Sequence, residues 1–176
     1  ASAFTVPNDP RWSNQWNLTK IGWDKYFGLN TPTATPIVSI IDTGVLANHP
    51  DLSSIVTSGF NAITGSSITT DDNGHGTHVS GIVSAVINNG TGITGLSKSS
   101  ILPIKVLDSA GSGTYGDIAN GIVWATDHGA RIINMSLGGD EFNQGMKDAV
   151  DYAYAHGVLV ISSCGNMAAI RPCDYP

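Results

Sequence analysis

Between residues 37 and 163, short apolar runs rich in isoleucine and valine alternate with stretches in which apolar residues recur every three to four positions. Apolar runs of roughly four to eight residues predict buried β-strands, whereas the three-to-four-residue spacing predicts amphipathic helices. Strands are predicted over residues 37–41, 55–60, 101–107, 131–137 and 158–163. Helices are predicted over residues 79–86, 118–123 and 142–153, the last of them ended by His156-Gly157.

Strands that alternate with helices predict an α/β fold: a parallel central sheet with helices on both faces, which makes a three-layer sandwich. Residues 1–35 fit neither pattern, because prolines and tryptophans are scattered among polar residues there. We interpret residues 1–35 as an irregular segment that wraps over an α/β core formed by residues 36–176. The length of 176 residues suits a single domain.

Composition and charge exclude several classes of function. Charged residues make up 12% of the chain, about half the usual share. The net charge of −6 provides no basic patch for nucleic acid or for a membrane surface, and the apolar runs are too short to cross a bilayer. We therefore expect neither nucleic acid nor a membrane as a partner. The chain opens with Ala1 and without an apolar leader, which favours a secreted protein whose leader has been removed.

Polar residues follow several of the predicted strands, and parallel sheets place their sites outside the carboxyl ends of their strands. Asp42 ends the apolar run 37–41, and a buried carboxylate needs a partner; a turn or a helix cap is the alternative role. Asn166 follows the strand 158–163, and its side-chain amide could donate to an oxyanion. The alternative for Asn166 is an ordinary turn asparagine.

His75 lies between two glycines just before a predicted helix. A neutral imidazole at a helix N-terminus is disposed to act as a base. A plain capping turn is one alternative, and a zinc site formed with His78 is another. However, His75 and His78 are three residues apart, whereas the zinc-protease helix has its two histidines four residues apart and a glutamate between them.

Four motifs, in their order along the chain, resemble the subtilisin-like serine proteases, or subtilases, and most closely their thermitase branch. They are Asp-Thr-Gly at 42–44, Asn-Gly-His-Gly-Thr-His-Val-Ser-Gly at 73–81, Ser-Leu-Gly-Gly at 136–139 and Gly-Asn at 165–166. The resemblance covers nearly the whole chain and implies the N-terminal part of one subtilisin-like peptidase domain, whose fold is incomplete here. It implies that Asp42 orients the imidazole, that His75 is general base and then general acid, and that Asn166 is the oxyanion donor.

The resemblance also implies a secreted endopeptidase that acts on extended polypeptide of broad sequence. The substrate backbone would pair with two exposed strands, and the side chain before the scissile bond would enter a pocket. The residues implied for this binding are Gly111, Ser112, Gly113, Ser136, Leu137, Gly138, Ser163 and Gly165. A propeptide or a protein inhibitor could bind the same strands.

The family's nucleophilic serine lies in a Gly-Thr-Ser-Met-Ala motif well downstream, and that motif does not occur in these 176 residues. Triad members act as a unit, so we expect this chain without the serine to have lost most of its catalytic power. We expect the serine to come from a C-terminal segment or a separate chain. The alternative is a catalytically inactive fragment that binds peptides or inhibitors.

The resemblance further implies a calcium site at a loop around residues 87–93. The implied ligands are the side chains of Asp9, Asp51 and Asn89 and the carbonyl groups of Ile87, Thr91 and Ile93. Carboxylate, amide and carbonyl oxygens are the ligands that Ca²⁺ prefers. The alternative is Asn-Gly turn chemistry with an aspartate helix cap.

The chain has two cysteines, Cys164 and Cys173, which are too few for a disulfide scaffold or a four-thiolate zinc site. Free thiols, or a bond to another chain, are open alternatives, and Cys164 as a nucleophile would need His75 within hydrogen-bond reach. In a secreted protein we expect a Cys164–Cys173 disulfide beside the pocket.

Overall fold

The computed structural model describes residues 6–27, 35–139 and 141–166. Its strands are β1 Ile37–Asp42, β2 Phe60–Asn61, β3 Ser100–Lys105, β4 Ile132–Met135 and β5 Leu159–Ser162. They form one sheet in the order β2-β3-β1-β4-β5, and every pairing is parallel. The carboxyl ends of the strands therefore share one edge of the sheet, where parallel α/β folds place their sites.

Within the described residues the sheet is accompanied by the helices α1 Trp16–Lys20, α2 Trp23–Phe27, α3 His75–Ser84, α4 Tyr115–Asp127 and α5 Gln144–Ala155. Successive residues of β1 face opposite sides of the sheet. Ile40 packs in a core with Val79 of α3. Its neighbour Ile41 packs in a larger core with Ile122 of α4 and Met146 of α5. Helices thus cover both faces, which confirms the predicted three-layer α/β fold.

The three long helices begin where a cap or a turn allows it, so their ends differ from the predicted ones. The helix predicted over 79–86 starts at His75 and ends at Ser84. The helix predicted over 142–153 starts at Gln144, because the Asn143 side chain accepts a hydrogen bond from the Met146 N–H at 3.1 Å. Phe142 therefore lies outside α5 and is 58% exposed.

The strand predicted over residues 55–60 is wrong for most of its length. Val56 makes only an isolated bridge to Ile101, and regular pairing with β3 begins at Phe60. Between these two points the partner strand presents Pro103, which has no N–H to donate. A Cβ on Gly59 would also lie 1.9 Å from the Pro103 carbonyl oxygen, so the chain passes β3 there too closely for a side chain.

The prediction of an irregular segment over residues 1–35 is wrong for the part between Trp12 and Phe27, most of which is helical. That part contains a 3-10 turn at Trp12–Asn14 and the helices α1 and α2. Helices this short are not stable alone, so their stability comes from packing. Leu18 and Trp23 are buried, and Trp23 Nε1 donates to the Leu96 carbonyl at 2.9 Å. The division of the chain at residue 35 stays a prediction.

None of the helices in the described ranges has the length and apolar character needed to cross a bilayer.

Candidate active site

Asp42 and His75 meet at the carboxyl edge of the sheet. Asp42 is the last residue of β1 and its side chain is fully buried, whereas His75 is the first residue of α3 and its side chain is 48% exposed. The Nδ1 atom of His75 lies 2.8 Å from Oδ1 and 2.9 Å from Oδ2 of Asp42. A carboxylate accepts hydrogen bonds and cannot donate, so Nδ1 carries the proton and Nε2 is left as a base.

The approach of α3 to the turn after β1 depends on two glycines. Gly44 has a φ of +107°, a backbone conformation that side chains rarely adopt. A Cβ on Gly76 would lie 2.1 Å from the Gly44 carbonyl oxygen, which is closer than any real Cβ contact. Because Gly76 directly follows His75, this close packing holds the imidazole against Asp42.

Thr43 connects the same turn to the helix. Its N–H donates to Asp42 Oδ1 at 2.7 Å, and its hydroxyl accepts from the Gly76 N–H at 3.0 Å. The hydroxyl in turn donates to Asp71 Oδ1 at 2.8 Å. Asp71 was not among the predicted site residues, although an acidic residue shortly before a helix start is a recognised capping signal.

The Asp71 carboxylate accepts five hydrogen bonds in all: one from Thr43, one each from the N–H groups of Asn73 and Gly74, and two from the N–H and hydroxyl of Thr77. Burial, the largest single influence, acts to raise the pKa of Asp71. The hydrogen bonds from Thr77, Gly74 and Asn73 together outweigh burial and lower the pKa from 3.8 to about 2. Asp71 is therefore ionised throughout the neutral range.

Lys105, at the end of β3, is a buried cation beneath this edge. Its Nζ atom donates to the Thr43 carbonyl at 2.7 Å, to Asp72 Oδ1 at 2.7 Å and to the Leu107 carbonyl at 2.8 Å. The loops after β1 and β3 and the loop before α3 are thus joined at one ammonium group. Lys105 was also not among the predicted site residues, although it stands as a lone lysine within an otherwise apolar run.

A cleft of about 520 Å³ opens beside the imidazole of His75. Its lining includes most of the residues predicted to bind substrate: Gly111, Ser112, Gly113, Ser136, Leu137 and Gly138. A Cβ on Gly113 would lie 2.3 Å from the Val106 carbonyl oxygen. Residue 113 can therefore lie this close to the end of β3 only because it is a glycine. Ser163 adjoins the same region, because its hydroxyl donates to the Leu137 carbonyl at 3.3 Å.

Gly165 and Asn166 follow β5 at this edge of the sheet. Gly165 has a φ of +76°, and Asn166 is exposed. The role of Asn166 as an oxyanion donor stays a prediction. Cys164 lies beside them, whereas Cys173 lies outside the described residues, so their pairing also stays a prediction.

The zinc alternative gains no support from the arrangement of the histidines. The Nδ1 atom of His75 is hydrogen-bonded to Asp42, whereas His78 lines a different cavity together with His49 and Asp51. Across residues 6–27, 35–139 and 141–166, no three His, Cys, Asp or Glu side chains are grouped so that they could hold a metal ion.

In the loop predicted to bind calcium, the side chains of Asn89 and Asp51 are in contact, and Asp9 contacts the backbone of the same loop. Buried Asp9 accepts from the N–H groups of Asn88 at 3.0 Å and Asn89 at 3.1 Å. Buried Asp51 accepts from the Asn89 side-chain amide at 2.8 Å and from the Ile93 N–H at 2.9 Å. The other predicted ligands are backbone carbonyl groups of the same loop, at Ile87, Thr91 and Ile93.

Comparison with known proteins points to one family. A family model described as the subtilase family, Peptidase_S8, matches residues 33–176. Thermitase from Thermoactinomyces vulgaris is 44% identical to this chain, and the match covers 97% of this chain and 61% of thermitase. Subtilisin DY from Bacillus licheniformis is 51% identical, and the match covers 73% of this chain and 46% of subtilisin DY. A similar solved structure is that of fervidolysin from Fervidobacterium pennivorans, a keratinolytic enzyme related to subtilisin. Its sequence is 33% identical and the TM-score is 0.84, and the match covers 100% of this chain and 28% of the fervidolysin chain. The chain thus spans 61% or less of each of these relatives.

The packing at Gly76 predicts that Gly76→Ala prevents α3 from docking on the turn after β1, because its Cβ would meet the Gly44 carbonyl oxygen. Gly116 is the matched control, since it is the second residue of α4 as Gly76 is of α3, and its Cβ would make only an ordinary 3.7 Å contact. The unfolding temperature should be much lower for Gly76→Ala than for the unsubstituted protein, and it should not fall for Gly116→Ala. Equal unfolding temperatures for the two variants would contradict the account.

The lowered pKa of Asp71 predicts a pH-dependent contribution to stability. Because the pKa of Asp71 is lower in the folded state, the stabilisation is complete above pH 3.8 and is lost as the pH falls through about 2. The difference in unfolding temperature between the unsubstituted protein and Asp71→Asn should therefore stay constant from neutral pH to about 5 and shrink toward pH 2. A difference that does not change with pH would show that the charge of Asp71 contributes nothing.

Proposed function

The chain belongs to the subtilase family of serine proteases, and from this we propose that it supplies the aspartate, the histidine and the oxyanion asparagine of an endopeptidase that cleaves peptide bonds by acyl transfer. The observation that carries the proposal is the contact of His75 Nδ1 with both oxygens of buried Asp42, at the rim of a cleft lined by exposed backbone. Sheet geometry alone does not require such a contact, but a positioned general base does.

His75 acts as the general base in this proposal. Its Nδ1 proton is held by Asp42, so Nε2 is free to take the proton of a serine hydroxyl as that oxygen attacks the peptide carbonyl carbon. The imidazolium that forms is stabilised by the buried Asp42 carboxylate. His75 then gives the proton to the leaving amine, and a water molecule repeats the sequence to release the acid product.

The tetrahedral intermediate carries negative charge on the former carbonyl oxygen. Asn166 is proposed to donate its side-chain amide to that oxygen, which supports catalysis because the charge develops only during the reaction. Its position after β5, at the edge where β1 also ends, supports this role.

The substrate is proposed to be an extended polypeptide. Its backbone would pair with residues 111–113 on one side of the cleft and with residues 136–138 on the other. The glycines in both segments support this, since they leave backbone groups open to an incoming strand. Ser163 and Gly165 would form part of the wall around the side chain that precedes the scissile bond.

The nucleophilic serine is proposed to lie outside residues 1–176, in a C-terminal segment or a separate chain. The alternative is an inactive subtilase fragment that binds peptides or inhibitors in the same cleft. The two differ in turnover: the endopeptidase consumes a peptide substrate, whereas the fragment binds it and leaves it intact.

Substitution of the proposed triad members in the full-length protein tests the activity. Peptide hydrolysis should fall on the order of 10⁴-fold for Asp42→Ala and 10⁶-fold for His75→Ala. His78→Ala is the matched control, because His78 lies one turn along the same helix but lines the other cavity. Its turnover should stay near that of the unsubstituted protein. Loss of activity in His78→Ala with retention in His75→Ala would contradict the proposal, and peptide binding without any hydrolysis would favour the inactive fragment.

A calcium ion is proposed at the loop 87–93, and the donor set fits it. Asp9 and Asp51 are both buried, and none of the ion pairs in the described ranges involves either of them. The hydrogen bonds that Asp9 and Asp51 accept come from N–H and hydroxyl groups, and two buried carboxylates without a cation remain costly. The amide oxygen of Asn89 and the carbonyl groups of the loop are further oxygens of the kind that Ca²⁺ prefers. A bound Ca²⁺ would supply the compensating charge and strengthen the attachment of the N-terminal segment to the body.

Calcium removal should therefore lower the unfolding temperature, because an ion that binds only the folded state stabilises it by mass action. The Asp51→Asn variant should lose most of the difference in unfolding temperature between calcium and chelator. Asp148→Asn, on the exposed face of α5, should keep the full difference. Identical unfolding temperatures with calcium and with chelator in the unsubstituted protein would contradict the site.

An extracellular location and a Cys164–Cys173 disulfide are proposed together, because disulfides persist in oxidising compartments. Peptide mapping without reductant should yield one fragment pair joined through these two cysteines, and reduction should separate it. Two unlinked thiol peptides from protein that was never exposed to reductant would contradict the disulfide.

A further inference from the structure

We propose that Asp71 is a positioning residue for the Asp42–His75 pair: its carboxylate clamps the turn that carries Asp42 to the helix start that carries His75. This inference rests on the proposed function, because it assigns Asp71 a task in the same reaction. Asp71 does not touch the imidazole in the contacts described, so it acts through the segments that it joins.

The first half of the clamp is the contact with Thr43. The Thr43 hydroxyl donates to Asp71 Oδ1 at 2.8 Å, while the Thr43 N–H donates to the Asp42 carboxylate at 2.7 Å. Thr43 thus transmits the position of Asp71 directly to the residue that holds the imidazole.

The second half of the clamp is the start of α3. Asp71 accepts from the N–H groups of Asn73, Gly74 and Thr77 at 3.1, 2.8 and 2.9 Å. The Thr77 hydroxyl, which also accepts from the Leu46 N–H at 2.9 Å, donates to the same carboxylate. A single side chain therefore contacts both segments that meet at the site.

The capping pattern of the other long helices shows that this arrangement is special to α3. The helices α4 and α5 are capped by the residue directly before them, Thr114 and Asn143, in the ordinary way. At α3 the equivalent position is Gly74, which has no side chain to donate or accept and a φ of +105°. Asp71, three residues before Gly74, accepts the N–H hydrogen bonds at this helix start instead. The same carboxylate also accepts a hydrogen bond from the Thr43 hydroxyl.

Loss of this carboxylate would free two groups at once. The Thr43 hydroxyl would lose its acceptor, and N–H groups at the start of α3 would lose theirs. The first turn of α3 could then shift relative to Asp42, and small displacements of a general base slow the chemical step strongly. Thr43 and Asn73 line the cleft beside His75, whereas the segments at residues 111–113 and 136–138 follow other strands and donate no hydrogen bond to Asp71. The loss should therefore fall mainly on the chemical step and only slightly on binding of the substrate backbone.

The experiment measures kcat and KM for a peptide substrate in the full-length protein, together with the proton NMR signal of the His75 Nδ1–H. Asp71→Asn keeps the shape but places an amide among groups that donate, and Thr43→Val removes the connecting hydroxyl. Both should lower kcat roughly 10- to 10²-fold with KM within about twofold, and both should shift or broaden the Nδ1–H signal. Thr43→Ser keeps a hydroxyl and should restore both values.

Asp117→Asn is the matched control, because Asp117 pairs with the Thr114 cap at the start of α4. It should leave kcat and the Nδ1–H signal unchanged. Unchanged kcat and Nδ1–H signal in Asp71→Asn and Thr43→Val would overturn the inference, as would a rise in KM that accounts for the whole loss. If the unsubstituted protein hydrolyses no peptide, the proposed function fails, while the Nδ1–H signal still decides whether Asp71 positions His75.

Discussion

The site depends on the contact between the turn after β1 and the first turn of α3. Burial of the Asp42 carboxylate is costly unless hydrogen bonds replace the lost water. The Thr43 N–H and the His75 Nδ1–H supply those bonds, and the second of them exists only while α3 lies directly on the turn. Glycine at positions 44 and 76 permits that closeness. The same contact that compensates the buried charge therefore also orients the imidazole of His75.

The parallel sheet explains how residues far apart in the chain reach one edge. Asp42 is the last residue of β1. The 111–113 loop, the 136–138 segment and Asn166 follow β3, β4 and β5, which run in the same direction as β1. The strands are rigid, and the loops beyond them need only short connections to form one cleft. Lys105 strengthens this edge from beneath, since its buried ammonium group bonds to the loops after two of the strands.

Much of the fold follows from local sequence patterns, and the exceptions have non-local causes. Strands β1, β3, β4 and β5 lie within about two residues of the predicted ones, because apolar runs are a local signal. The boundary of β2 depends on Pro103 in its partner strand, and the short helix α1 depends on burial of Leu18, neither of which periodicity reveals.

The candidate site divides in the same way. Asp42, His75 and the cleft glycines belong to motifs whose order along the chain is distinctive. Asp71 and Lys105 act through hydrogen bonds to Thr43, 28 and 62 residues away. The local pattern can mark a capping acid and a buried lysine, but it does not show that both bond to Thr43.

The central claim is that this chain provides the aspartate and histidine of a catalytic triad whose serine lies outside residues 1–176. Treatment of the full-length protein with a fluorophosphonate, followed by mass-spectrometric location of the adduct, tests it most directly. The account predicts one modified serine, outside residues 1–176, and loss of that modification in His75→Ala. An adduct on a serine within residues 1–176, equal labelling of His75→Ala, or no adduct on the folded protein would contradict it.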